Sequence, residues 1–260
     1  VTALERLLRI MERLRDPRAG CPWDRQQDWA SIAPHTIEEA YELADAIARG
    51  EPDAVRDELG DVLFQVVFQS RIAEERGLFD FADVARGIAD KLERRHPHVF
   101  GDAQVADAAA QSQAWDEHKR AERAARGQGT GALDGVTPGL PALTRAAKLG
   151  SRAARVGFDW PEPAAVLDKV REETDELRAE IARGDRTRAH EELGDLLFAL
   201  TQVARHLEID PEESLRAANA KFERRFRHVE SQLVSRGLTP RDVGMAELEA
   251  LWNRAKREPG

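Results

Sequence analysis

Glu172, Glu173 and Glu176 crowd one short stretch, EETDE, and Glu192 and Asp195 follow in a run, EELGDLLF, that turns abruptly from acidic to apolar. On a helix, residues three apart share a face. Glu173 with Glu176, and Glu192 with Asp195, therefore form two carboxylate pairs, and two such helices side by side would direct all four at one point. Hard oxygen donors without cysteine or a well-placed histidine suit Mg2+, with Mn2+ as a substitute, whereas the Glu-x-x-His pattern of di-iron bundles is absent. The same set occurs earlier as Glu39, Glu42, Glu58 and Asp61, a second candidate metal site.

Ordinary explanations compete with this one. Acidic runs are usually solvated faces, Thr36 with Glu39 fits a capping box, and Glu38, Glu39 and Glu42 lie opposite an apolar stripe of Ile37, Ala40, Tyr41, Ala44 and Ala48. The second helix of each pair is harder to explain so. Leu193, Leu196, Leu197, Phe198, Leu200 and Val203 cover most of its circumference, as Leu59, Val62, Leu63, Phe64, Val66, Val67 and Phe68 do in the first half, so it is expected to be largely buried. Its acids would then need a neutralising cation. Gly60 and Gly194, each costing about 1 kcal/mol inside a helix, are expected to admit close approach of the neighbouring acidic helix.

A phosphate bound through such a cation calls for further positive charge. Lys221 and Arg225 share a helical face, and Lys256 follows Trp252 by one turn, with Trp252 offering a ring to a base. Lys91, Arg95, Trp115 and Lys119 repeat these four types. Taken alone, they read as surface ion-pair residues and a core tryptophan. His96, His98 and His228 fall in a helix-terminal segment and are left out of the site.

The elements that must position these groups are helices. Leu4, Leu7, Leu8, Met11 and Leu14 form one helical stripe, no stretch alternates as a strand, and DPEES places a capping Asp210, Pro211 at the first helical position and Glu213 to complete the box. The fold class is all-α. GQGTGALDGVTPGLP lacks periodicity and marks a linker at 127–141 between modules at 1–126 and 142–260. The two halves repeat in order: TIEEAYE parallels VREETDE and DELGDVLFQVV parallels EELGDLLFALT at a constant offset (173 − 39 = 134; 195 − 61 = 134). KLERRHPHVF likewise parallels KFERRFRHVE, and GCPWD parallels VGFDW. Solvated charge has no reason to recur in this order, whereas a tandem duplication does.

Composition sets outer limits. With 260 residues, 42% of them hydrophobic and 33% charged, the chain can bury a core. Its net charge of −9 argues against nucleic acid or an anionic membrane as the main partner. The lone Cys21 rules out an intrachain disulfide, no apolar run spans a bilayer and the first residues read as an amphipathic helix, so a cytoplasmic location is expected.

EExxE followed by ExxD, twice, resembles the MazG family of the all-α nucleoside triphosphate pyrophosphatase superfamily. The likeness runs from RLLRIMERLRDPRAGCPWD through KLERRHPHVF and KFERRFRHVE to LWNRAKRE. It implies two tandem helical modules whose four-helix-bundle-like packing is completed by dimerisation. It further implies Mg2+-dependent hydrolysis of nucleoside triphosphates to monophosphate and pyrophosphate by a homodimer. By motif, the resemblance makes Glu173, Glu176, Glu192 and Asp195 metal ligands, and it makes Lys221, Arg225, Trp252 and Lys256 nucleotide contacts. Glu172 is then the general base or water-positioning group, and Lys169, one turn earlier, reaches a phosphate. The first module is expected to be structural or regulatory, because Pro97 follows directly on the helix of Lys91 and Arg95 whereas the second-half helix continues. Two alternatives stay open: a nucleotide sensor or scaffold without turnover, and a hydrolase restricted to one non-standard nucleotide.

Overall fold

In the computed structural model the described residues are 2–101, 127, 129 and 131–257; Trp115 and Lys119 lie outside them. Every regular element among them is helical. The chain divides into two compact units, residues 1–119 and 120–260.

The first unit contains α1 (Ala3–Leu14), α2 (Pro22–Gln26), α3 (Trp29–Arg49), α4 (Pro52–Glu75), α5 (Phe81–Arg95) and α6 (Pro97–Phe100). Its local signals are explicit. Thr2 and Glu5 close a capping box on α1, Asp28 and Ser31 close another on α3, and Gly50, at φ +68°, ends α3 in a left-handed turn that only glycine adopts without strain. Thr36, expected to begin a helix, lies inside α3 and donates its hydroxyl to the Ile32 carbonyl at 3.3 Å, so Thr36 and Glu39 form no capping box. α4 returns antiparallel along α3, and α1 and α5 pack on α4. Met11, Ile32, Val67, Phe68 and Ile72 form the buried core, with Leu7, Leu8, Trp29, Phe64 and Phe81 packed around it.

The second unit contains α7 (Ala142–Ala154), α8 (Pro163–Arg183), α9 (Arg186–His206), α10 (Pro211–Val234), the 3-10 turn Pro240–Asp242 and α11 (Met245–Ala255). Gly184, at φ +72°, ends α8, and Asp185 caps α9 by accepting from the Thr187 and Arg188 amides. Asp210 accepts from the Glu212 and Glu213 amides with Pro211 behind it, as the sequence predicts, although without the reciprocal bond that would make a box. α8 and α9 pair antiparallel, α7 lies against α9, and α10 packs on α11 and α7. Val229, Leu233 and Leu251 form a core with Leu238, Val243, Leu248 and Trp252 around it. Gly150 of α7 is required where α7 meets α9, because a Cβ there would overlap the buried Gln202 side chain. One expected contrast is visible: α5 stops at Arg95 before Pro97, whereas α10 runs unbroken to Val234.

The two central helices of each unit are less buried than their composition suggests. Leu59, Leu63 and Val66 are exposed on α4, and Leu193, Leu197 and Leu200 on α9, as are Ile37 and Tyr41 on α3. Among the described residues of its own unit, each of these stripes is left uncovered. The glycine expectation is overturned as well, since a Cβ at Gly60 or Gly194 would meet nothing within 4 Å. Both glycines lie on the open side of their helices and do not serve close approach inside the unit.

The firmest long-range polar tie described in the first unit is Arg15, only 8% exposed. Its Nε and Nη2 donate to Glu75 at 2.9 and 2.7 Å, Nη1 donates to the Asp24 and Gln27 carbonyls, and its guanidinium lies over the Phe68 ring. Burial pushes the Glu75 carboxyl upward, but hydrogen bonds and charges from Arg15 and Arg71 outweigh it and hold the pKa below the ordinary value. Arg15→Met is expected to destabilise this unit by about 3 kcal/mol, since it strands a partly buried carboxylate. A depressed pKa stabilises above the unfolded carboxyl's pKa and ceases to do so as pH falls through the depressed value. Denaturant unfolding of Glu75→Gln beside the parent should therefore show a gap at neutral pH that closes in acid.

Candidate active site

The turn at Gly184 sets Glu173 of α8 and Glu192 of α9 at similar heights on antiparallel neighbours. One carboxylate oxygen from each of Glu173, Glu176 and Glu192 falls within 4.8 Å of the others. Glu173 is 4% exposed, Glu192 half-buried and Glu176 exposed. Glu173 Oε1 accepts from Lys169 Nζ at 2.7 Å, and the same ammonium donates to Glu172 Oε1 at 2.7 Å. The buried Glu173 Oε2 has no hydrogen-bond partner. Partial desolvation, with the charges of Glu173 and Glu192, raises the Glu176 carboxyl above its ordinary pKa. Hydrogen bonds to Glu172 and Glu173 push the Lys169 ammonium up, so it stays charged.

Gly50 does the same for α3 and α4. Glu39, Glu58 and Asp61 come within 4.8 Å of one another, and the buried Glu58 Oε2 also lacks a partner. Desolvation first, then Asp61, Glu42 and Glu58, raise the Glu39 carboxyl. Each unit thus gathers three of its four expected carboxylates. Asp195 stays outside the second group and Glu42 outside the first, yet the positions equivalent to them, Asp61 and Glu176, are inside. Between them the two units use all four repeat positions.

Burial falls differently from expectation. The most buried acid is Glu173, on the first helix of its pair, whereas Glu192 is half-buried and Asp195 exposed. The face that carries the carboxylates is continued along each second helix by the buried Gln65 and Phe68 of α4 and Ala199 and Gln202 of α9, and the apolar stripe faces out. One residue escaped sequence reading. His35 stands where Lys169 stands in the repeat (169 − 134 = 35), and its Nδ1 lies 3.4 Å from Glu38 Oε2, the position equivalent to Glu172. The constant offset would have found it.

The expected nucleotide contacts come from the last two helices of the unit. Lys221 and Arg225 lie on α10, Trp252 on α11, and Lys256 just beyond α11, where Nζ donates to Asn253 at 3.4 Å. No described ion pair joins Lys221, Arg225 or Lys256 to the acids. Trp252 is half-buried against the second core, its ring centroid 5.1 Å from that of Phe222, which stacks on Phe226. In the first unit Lys91 and Arg95 lie on α5.

Whether these carboxylates fit a divalent cation can be judged from the atoms themselves. A buried acceptor without a donor, at the centre of converging anions, is costly unless something positive completes it. Glu173 Oε2 and Glu58 Oε2 are such atoms, and all donors are hard oxygens. The residues fit the ion, with Glu173, Glu176 and Glu192 to hold it and Asp195 one turn further along α9.

Fold and site together define a duplicated all-α protein in which each antiparallel helix pair carries a cluster of carboxylates suited to a hard cation. The model of the MazG nucleotide pyrophosphohydrolase domain matches residues 27–100 and again 162–230, the segments that hold these two clusters. The chain belongs to the MazG family. It is 50% identical over 257 residues to a nucleoside triphosphate pyrophosphohydrolase of Escherichia coli (strain K12), covering 98% of this chain and 97% of that one. It is 41% identical to the nucleoside triphosphate pyrophosphohydrolase/pyrophosphatase MazG of Thermotoga maritima, covering 97% of this chain and 95% of the relative. A nucleoside triphosphate pyrophosphohydrolase of Mycobacterium tuberculosis matches at 36% over 158 residues, 59% of this chain and 46% of its own. No described helix is long and apolar enough to cross a membrane.

Like charges held together by the fold should make the site a stability defect when no cation is bound. In excess chelator Glu192→Gln is expected to raise the thermal midpoint of the second unit by about 2–4 °C, read by calorimetry, whereas Glu173→Gln, which also weakens the Lys169 pair, should gain less.

Proposed function

We propose that the chain is a Mg2+-dependent nucleoside triphosphate pyrophosphohydrolase that releases monophosphate and pyrophosphate, with Mn2+ able to replace Mg2+. The observation that carries this reading is Glu173: a buried carboxylate with one oxygen tied to Lys169 and the other without a donor, at the centre of a carboxylate group repeated in the other unit. When bound, the cation would supply charge neutralisation for the triphosphate and a water of lowered pKa. Glu173, Glu176, Glu192 and Asp195 would hold it. Glu172, exposed and paired with Lys169 before substrate binds, would orient the attacking water and take its proton. Water attacks the α-phosphorus, the bond to the bridging oxygen breaks and pyrophosphate leaves. Lys169, Lys221, Arg225 and Lys256 would meet the charge on the phosphate oxygens, and Trp252 would carry the base on the part of its ring that Phe222 leaves open.

The exposed stripes Leu59–Leu63–Val66 and Leu193–Leu197–Leu200 occupy equivalent positions, and Gly60 and Gly194 open the backbone beside them. This supports a homodimer in which α4 and α9 bury these faces against a second copy. The first unit keeps a candidate site but loses the continuous helix that α10 provides, which supports a structural or regulatory role for it. Neither nucleic acid nor a membrane is a fitting partner for a chain of this charge, and a cytoplasmic setting suits the substrates.

Pyrophosphate release from a panel of ribo- and deoxynucleoside triphosphates, ATP included, tests the activity. Glu192→Ala is expected to lose at least a hundredfold in the presence of Mg2+ while Glu58→Ala retains most turnover. Binding without turnover would replace the hydrolase by a sensor or scaffold, and turnover of a single non-standard nucleotide would narrow it to a pool-cleaning enzyme. Leu197→Arg is expected to convert the dimer to monomer in sedimentation equilibrium, and an unchanged mass would place the contact elsewhere.

A further inference from the structure

The two carboxylate groups differ in one charge. In the second unit Lys169 Nζ lies 2.7 Å from Glu173 Oε1 and 2.7 Å from Glu172 Oε1, so one ammonium is shared between the buried acid and its exposed neighbour. In the first unit the equivalent His35 reaches Glu38 at 3.4 Å, and no described ion pair touches Glu39, Glu42, Glu58 or Asp61. Lys169 is two-thirds buried, whereas His35 is about half-buried and Glu38 is exposed.

A charge fixed this close to a metal position acts in two opposed ways. It offsets carboxylate repulsion before a cation arrives, and it repels the cation that must take its place. The stem of Lys169 is flexible and its head is a point charge. It can leave the carboxylates when a stronger anion comes within reach, and a triphosphate is such an anion.

We infer that Lys169 is a resident counter-ion of the second site that weakens binding of free divalent metal and is drawn onto the phosphates when a triphosphate arrives, so that metal and nucleotide bind this unit cooperatively. The inference rests on the metal reading proposed above and adds to it the order of occupation. The second site would stay largely free of metal until its substrate is present, whereas the first, which lacks the ammonium, would take metal alone.

Mn2+ binding followed by electron paramagnetic resonance on the full chain tests this without recourse to turnover. In a Glu58→Gln background, which removes the first site, Lys169→Met is expected to tighten Mn2+ alone by on the order of tenfold, and Lys169→Arg, which keeps the charge, should stay near the parent. A triphosphate with a methylene bridge between its α- and β-phosphates should tighten Mn2+ more in the parent than in Lys169→Met. Mn2+ bound equally or more weakly by Lys169→Met, with the fold intact by circular dichroism, overturns the inference alone. Failure of the Glu58→Gln protein to bind Mn2+ with or without the analogue overturns the metal reading and this inference with it.

Discussion

Carboxylates repel one another, and a protein that needs several at one point must hold them there by something stiffer than their own preferences. In both units that restraint is an antiparallel helix pair closed by a left-handed glycine, Gly50 or Gly184. The turn fixes which residues of the two helices stand opposite, and packing on the inward faces of α4 and α9 fixes their rotation. The acids have no say in either. The raised proton affinities of Glu39 and Glu176 reflect desolvation first and the charges of the neighbouring acids after it.

Duplication preserved this frame more closely than its surroundings. Phe68 fills the first core, where the equivalent position of the second is Gln202, buried and hydrogen-bonded to the Ala146 carbonyl, Thr201 and Arg205. Asp159 near the start of the second unit pairs with Arg205 and His206, whereas in the first Arg15 and Arg71 converge on Glu75. Each unit combines an apolar core with its own polar network, built from different residues, yet both deliver carboxylates at the same repeat positions. The framework tolerates changes of core chemistry as long as the hairpin stays in register.

Much of this was legible in the residues. Helical periodicity, the Asp210–Pro211 helix start and the repeat identified the all-α pairs and the acids they carry, because the periodicity is local and the motifs occur twice. The direction of the apolar faces was not legible. A stripe such as Leu193, Leu197 and Leu200 shows that a helix buries one side, but not whether the cover comes from its own chain. Gly194 misled for the same reason: its open side lies beyond the unit. Thr36 imitated a cap because Thr-x-x-Glu is local, while the true start at Asp28 and Ser31 sits upstream of Pro34. How Lys221 and Arg225 on α10 stand to Trp252 and Lys256 at the end of α11 depends on the packing of those two helices, which no spacing encodes.

The hairpin also determines where the chain can change length. The two halves keep an offset of 134 residues from Glu39 and Glu173 through Asp61 and Asp195, but by Lys91 and Lys221 it has become 130 (221 − 91 = 130). Before the acids the offset differs as well, 136 between GCPWD and VGFDW (156 − 20 = 136), so residues have been gained or lost on both sides of the hairpin and not between its carboxylates. Inside the hairpin, a single inserted residue would turn everything beyond it by about 100° around the helix and carry an acid from the cluster to another face. In the connections beyond α4 and α9 the same insertion changes only a loop. Divergence in length is therefore channelled to the segments that flank the hairpin, and these are the ones in which the two units already differ.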